Sequence, residues 1–464
     1  MAIQKVDYPL PDYFERTSKS LEWMKKAKEV MPGGVTANIK SFDPYPIVME
    51  KGNGAHLTDV NGNEYIDYLL AYGALMLGHG HEKITEAITK QLHQNGTCLF
   101  GTPHELEYTF GKKIQQHYPS MELLRYTNSG TEATLLALRL AYAYTGKYKI
   151  AKFEGHYHGG YNEVLVSVSP PLNEAGEELN PNSVIESKGV PEKEAENTII
   201  LPFNELEACE AILRRHQHDL AAVMIEPVQG GFIPATEKFI KGLREITKEL
   251  GILLIFDEVK TGFRVAIGGA QQLYNVKPDI TALGKVIGGG FPIGIVGGRE
   301  EIMLESSPRR GADVFDSSQS KKSKSKDVLF HSGTYNGHPM ILAAGLATVE
   351  VLEEKIEDVF KNTAFLKQQL EQLFKRYKIG MKAIGIGSIF SVVLTNKENI
   401  RNYRDLQQTD LSLRKEIDLH LLNEGIYTKP LNRYSLSTAH GIKEIDATIK
   451  AYERVLSKVC GGHH

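Results

Sequence analysis

Lys285 stands in "LGKVIGGGFPIG", a stretch from Leu283 to Gly294 that holds no other charge. An ammonium among apolar neighbours is disfavoured, so its pKa falls, and the free amine becomes a nucleophile suited to forming a Schiff base with a carbonyl. On this view the flanking glycines leave room for a bulky adduct. The competing reading is a lysine at a strand end whose stem is buried and whose head reaches water. A P-loop is excluded, because Lys285 precedes the glycines and G-x-x-x-x-G-K-[ST] is absent.

Asp257 closes the apolar run of "GILLIFDEVKTGFR". A half-buried carboxylate needs a partner, and a protonated ring nitrogen would serve; so would Arg264, in a plain salt bridge. In "YTNSGTEATLLALRLA", Ser129 and Glu132 have the spacing of a capping box, which starts a helix near Gly130. Gly130 lets a ligand approach the backbone, and Ser129 and Thr131 add hydroxyl donors to the N–H groups of the first turn, which makes an anion site. A well-capped helix without a ligand is the alternative there. "FEGHYHGGYN" offers Tyr157 for stacking on a planar heterocycle, while His156 and His158, with no acidic or cysteine companion nearby, make a poor metal pair. No metal is expected. An anion site, an aspartate for a pyridinium, a Schiff-base lysine and a stacking aromatic together specify pyridoxal 5'-phosphate.

Each of these residues falls at the end of a short apolar run. From Leu123 onward such runs ("LLRYTN", "YKIAKF", "NTIILPF", "AAVMIEP", "GILLIFDEV", "IGIVGG") alternate with helical patterns, which reads as α/β with a mostly parallel sheet. In sheets of that kind ligands sit beyond the carboxyl ends of the strands. Upstream, "YPIVMEKGNGAHLTDVNGNEYIDYL" alternates apolar and polar residues around Asn61-Gly62, a hairpin signal. Beyond His338 helical patterns predominate, with a strand expected at "GIGSIFSVVL". The expected division is an N-terminal segment 1–75 that joins the small domain, a large cofactor-binding domain 76–337 and a C-terminal small domain 338–464. Segments 170–191 and 317–326, rich in Pro, Ser, Asn and charge, read as surface loops.

Composition sets the partners. With 464 residues, a net charge of −3 and 41% hydrophobic residues, the chain exceeds one core and fits small-molecule partners better than nucleic acid. "SSQSKKSKSK" lacks interleaved aromatics and reads as a solvated loop. Cys98, Cys209 and Cys460 are too scattered for a disulfide framework, which suits the reducing cytoplasm. No run approaches the ~18 apolar residues of a membrane helix.

The ordered motifs "NSGTEA", "EGHYHGG", "IEPVQGG", "IFDEVKTGFR", "LGKVIGGGFPIG" and "HSGTYNGHP" resemble those of the class III, fold type I, pyridoxal-phosphate-dependent aminotransferases, in the branch typified by glutamate-1-semialdehyde aminomutase and the β-amino-acid aminotransferases. The resemblance spans nearly the whole chain. It implies a large domain with a mostly parallel seven-stranded sheet and a smaller α/β domain built from both termini. It also implies that Lys285 holds the cofactor covalently, Asp257 pairs with the pyridine nitrogen, Val259 and Tyr157 cover the two ring faces, and Ser129, Gly130 and Thr131 hold the phosphate. Gln229 would lie near the ring's 3-oxygen. Thr334 would reach the phosphate of a neighbouring subunit, which makes the expected form a homodimer.

The pattern breaks where substrate would be chosen. Aminomutases of this branch carry a glutamate in a "PSxFEAxF"-like segment, whereas this chain reads "KPLNRYSLSTAHG"; the arginine that β-amino-acid aminotransferases carry near "PG" is replaced by Ala37. Lys40 or Arg433 would bind a substrate carboxylate instead. The expectation is an aminotransferase acting on a β-amino or β-keto acid, free or as a carrier-bound acyl chain, with the aminomutase and an amino-acid racemase as alternatives.

Overall fold

The computed structural model describes residues 11–308 and 328–461. Two compact units result: Lys83–Glu354 with Asn399–Gln407, and Met1–Glu82 with Lys355–Glu398 and Gln408–His464. The second division therefore lies inside the 38-residue helix Pro339–Arg376 rather than at residue 338. Close packing explains the shift: a Cβ on Gly345 would lie 2.3 Å from the Ile287 carbonyl, so the first turns of this helix belong with the larger unit. Residues 399–407 join that unit through Arg404, whose guanidinium donates to both Glu154 oxygens at 2.8 and 2.9 Å.

The larger unit is built on seven strands: β1 (Leu123–Thr127), β2 (Lys149–Phe153), β3 (Thr198–Leu201), β4 (Leu220–Ile225), β5 (Leu253–Asp257), β6 (Ile280–Gly284) and β7 (Gly294–Gly298). Their order is β1-β7-β6-β5-β4-β2-β3. Only β7 runs against the rest, pairing antiparallel with both β6 and β1. Every residue of β4, β5, β6 and β7 is buried, which is why these segments read as unbroken apolar or small runs. β6 is the strand whose sequence, "ITALG", signals least, since threonine, alanine and glycine carry little hydrophobic pattern. The helix Gly130–Thr145 covers one face, packing Ala137, Leu140 and Ala141 into a core with Ile150, Met224, Ile255 and Val296. It stops at Gly146, which takes the left-handed conformation (φ 67°).

In the smaller unit, strands Met49–Asn53, His56–Asp59 and Glu64–Asp67 form a meander whose second turn holds Asn61-Gly62. Ile426–Tyr427 adds to it in parallel, so both ends of the chain build this unit. The segment "GIGSIFSVVL" is not one strand. It contains the turn of a hairpin between Met381–Ile386 and Ile389–Leu394, with Gly387 at φ 64° reversing the chain. Segment 170–191 carries a two-residue hairpin, Gly176–Glu177 against Asn180–Pro181; segment 317–326 lies outside the described residues. No helix among the described residues is long and apolar enough to cross a membrane.

Candidate active site

Strand register gathers the site. Thr127 pairs with Gly294 and Gly294 with Gly284, so the carboxyl ends of β1 and β6 lie on one row. Ser129 and Lys285 each emerge just past that row. Lys285 has φ 51°, a left-handed conformation disfavoured for any side chain and held here by the strand behind it and the 3-10 turn Lys285–Gly288 ahead. Ser129, Gly130, Thr131, Tyr157, Asp257, Val259 and Lys285 all line one cavity of about 200 Å³. Ser129 caps the helix by accepting from the Glu132 N–H at 3.1 Å, while the Glu132 carboxylate turns back to the Asn128 N–H at 2.6 Å.

Asp257 is buried (4% exposed). One oxygen accepts from His158 Nδ1 at 2.8 Å and the other from the Val259 amide at 3.0 Å, so His158 rather than Arg264 supplies its side-chain partner. Burial pushes Asp257 up to about 6 and pushes His158 down to about 3, which keeps the imidazole neutral. The carboxylate thus has hydrogen bonds yet still favours an added positive charge. His158 was weighed in the sequence only as a metal ligand; its nearness in sequence to Tyr157 was the available signal. Thr134, Gly159 and Lys260 also line the cavity without having been singled out. The Thr134 hydroxyl donates to the His158 carbonyl at 2.6 Å and so ties the loop to the helix. No three His, Cys, Asp or Glu residues among those described cluster as a metal site.

The glycines also serve packing. A Cβ on Gly130 would lie 2.6 Å from Val259 Cγ1, so its missing side chain lets Val259 pack against it. Gly289 is left-handed (φ 58°), and a Cβ there would meet the Thr348 hydroxyl at 2.7 Å. These two residues make room for neighbouring chain segments.

Five expected residues are not among those that line the cavity. Gln229 is buried, donating from Nε2 to the Glu154 carbonyl at 2.8 Å. Thr334 is exposed on the turn before the helix Pro339–Arg376. Ala37 and Lys40 are exposed on the smaller unit. Arg433, also in that unit, donates to the Tyr72 carbonyl at 3.3 Å. Tyr72 ends a run of three left-handed residues, Leu70, Ala71 and Tyr72 (φ 46°, 52° and 59°), anchored where Asp67 accepts the Leu69 and Leu70 amides at 2.9 and 3.0 Å. Lys429 and the Tyr72 hydroxyl both donate to the Ile39 carbonyl, at 2.5 and 2.7 Å.

The family model for class III aminotransferases matches residues 38–447. The chain belongs to that family. It is 41% identical over 448 residues to a glutamate-1-semialdehyde 2,1-aminomutase of Ignicoccus hospitalis, covering 95% of this chain and 99% of the relative. Among solved structures, an omega-transaminase of Sphaerobacter thermophilus superposes with a TM-score of 0.87 at 33% identity, over 96% of this chain and 99% of the other. A β-phenylalanine aminotransferase of Variovorax paradoxus gives 0.81 at 31%, over 97% and 95%. The class III chain is thus a pyridoxal-phosphate-dependent enzyme of fold type I.

The residues of the cavity fit that cofactor. A helix N-terminus with two hydroxyls suits its phosphate, and a buried carboxylate pushed upward suits a ring N–H. An aromatic edge suits its ring, and an amine on a strained backbone suits its carbonyl.

Proposed function

We propose that the enzyme moves an amino group within glutamate-1-semialdehyde, giving 5-aminolevulinate, with pyridoxal phosphate attached through Lys285. The observation that carries the substrate is the 41% identity to an aminomutase over 99% of that relative's length. What supports the chemistry is the convergence of Lys285, Asp257 and the Ser129–Thr131 helix start on one cavity. The chemistry that the cofactor supplies when bound is an electron sink beside the carbon that loses its proton. The chain's own residues do the rest. Ser129, Gly130 and Thr131 would hold the phosphate, and Asp257, oriented by His158, would keep the ring nitrogen protonated. The Lys285 amine would take a proton from the substrate carbon that loses its amino group and deliver one to the carbon that gains it. Gln229 would lie near the ring's 3-oxygen, and Thr334 would reach the phosphate of a neighbouring subunit in a homodimer. Free thiols at Cys98 and Cys209 fit a reducing cytoplasm.

A second reading is transfer between two molecules, with a β-amino acid as one substrate. Arg433 favours it, as a guanidinium in "KPLNRYSLSTAHG", where the aminomutase pattern carries its glutamate. Purified holoenzyme decides between them. Glutamate-1-semialdehyde alone should yield 5-aminolevulinate with no second substrate; if turnover instead requires a separate amino donor and carbonyl acceptor, the aminomutase reading is wrong. Borohydride reduction followed by peptide mapping should place the cofactor on Lys285.

A further inference from the structure

Lys260 has no role in the reaction just described, yet it lines the cavity beside Asp257 and Tyr157. Its ammonium pairs with Glu226 and stands 5.4 Å from the centroid of the Tyr157 ring. Glu226, at the end of β4, is 2% exposed. The Glu226 oxygen not paired with Lys260 accepts the backbone N–H of Tyr157 at 3.0 Å. Its own N–H donates to His156 Nδ1 at 3.1 Å. Tyr157 is therefore held twice, by its backbone to the carboxylate and by its ring to the ammonium. A cation over an aromatic face attracts it, the more so where water is excluded. Without Lys260, Tyr157, a residue 44% exposed on a loop, would lose one of the two holds that keep it at the cavity.

We propose that Lys260 is a positioning residue: paired with Glu226, it fixes the Tyr157 ring as the wall on which the cofactor ring stacks and sets the charge at that ring's edge. The inference rests on the reading of this cavity as the cofactor site with Lys285 as its attachment. Lys260 faces Glu226, Asp257, His156, His158 and Tyr157, with Lys285 in the same cavity and Lys152 behind Glu226. Although burial acts to raise Glu226, the Lys260 ammonium holds it below the usual carboxylate range, so the pair is ionised.

The test compares wild-type holoenzyme with Lys260→Met, Lys260→Arg and Glu226→Gln. Two quantities are read: the dissociation constant of pyridoxal phosphate from the apoprotein, and the pH at which the bound cofactor's absorption changes. Lys260→Met should weaken cofactor binding about tenfold, the loss expected for one desolvated cation–aromatic contact. It should also raise the absorption midpoint, because a cation leaves and Glu226 remains uncompensated. Glu226→Gln should move the midpoint the opposite way, and Lys260→Arg should restore both readouts to within about twofold of wild type. A purely structural lysine would lower thermal stability and leave the midpoint where it was. Cofactor binding within twofold of wild type and an unmoved midpoint in Lys260→Met would overturn the proposal, as would shifts of the same sign in Lys260→Met and Glu226→Gln. If Glu226→Gln does not fold, the Met and Arg variants decide alone. Borohydride reduction of wild type separates the two failures. No cofactor fixed on Lys285 sinks the reading of the site, whereas normal fixation with an unchanged Lys260→Met sinks only this inference.

Discussion

Two aspartates stand at opposite ends of neighbouring strands of the sheet, both nearly sealed from water: Asp257 at the carboxyl end of β5 and Asp279 just before β6. Asp279 is fully answered by its own chain. Arg244 donates to it at 2.6 and 3.1 Å, Arg299 at 3.0 Å and the Leu254 amide at 2.8 Å. Burial alone would raise it, but the Arg244 hydrogen bonds hold it below the usual carboxylate range. Asp257, with a neutral imidazole and one amide, is pushed up to about 6. Equal burial and opposite shifts separate a carboxylate that braces the fold from one that awaits a charge brought by a ligand.

Breaking the comparison should have different costs at the two ends. Asp257→Asn should lower turnover per bound cofactor about 10³-fold, a loss of preorganised charge, with no loss of apoprotein stability at neutral pH, where the buried carboxylate is itself a cost. Asp279→Asn should do the reverse. It strands Arg244, although Arg299 keeps Glu301, and so lowers unfolding free energy by about 3 kcal/mol in denaturant titration, while turnover of the folded fraction stays within about twofold of wild type. A stable but inactive Asp279→Asn would void the distinction. His158→Leu, which removes the hydrogen bond orienting Asp257, should cost about 10- to 100-fold in turnover, the worth of one charge-assisted bond.

The pH dependence sharpens the contrast. Asp257 is raised above its unfolded value of about 4, so between about 4 and 6 the apoprotein retains a proton that the unfolded chain has released. Stability therefore falls as pH rises through that window, and Asp257→Asn should flatten this part of the melting-temperature profile. Asp279 is depressed, so its contribution is present above its unfolded value and fades as pH falls below it. Added pyridoxal phosphate should cancel the Asp257 component and leave the Asp279 component alone.

The cavity that Asp257 and Lys285 line was largely legible because its parts are local. Ser129-Gly130-Thr131, Tyr157 and Lys285 each follow a strand within a few residues, and a strand's apolar run marks its own end. Residues whose meaning depends on distant partners were not legible in this way. His158 makes a poor metal ligand in the sequence, and its place beside Asp257 follows only from the alignment of β2 with β5. Lys260 carries no local signal of its role, since Glu226, just past β4, is its partner only in the folded chain. The segments that Gly288 and Gly289 accommodate, the Ile293 side chain and the helix after Pro339, are likewise not visible from spacing alone. Arg433 and Tyr72 are joined by a hydrogen bond across 361 residues of sequence.

Residue types and local pattern by themselves determined the α/β class, the helix start at Ser129, and the placing of an amine and a carboxylate at strand ends. They suffice for this because capping, burial and amine chemistry act over a few residues. Tertiary structure alone decided which buried carboxylate is satisfied and which is not, where the long helix changes units, and what each glycine makes room for. Those outcomes depend on register and on partners brought together across the sheet, and a charge's cost in the interior is set by neighbours that only folding supplies.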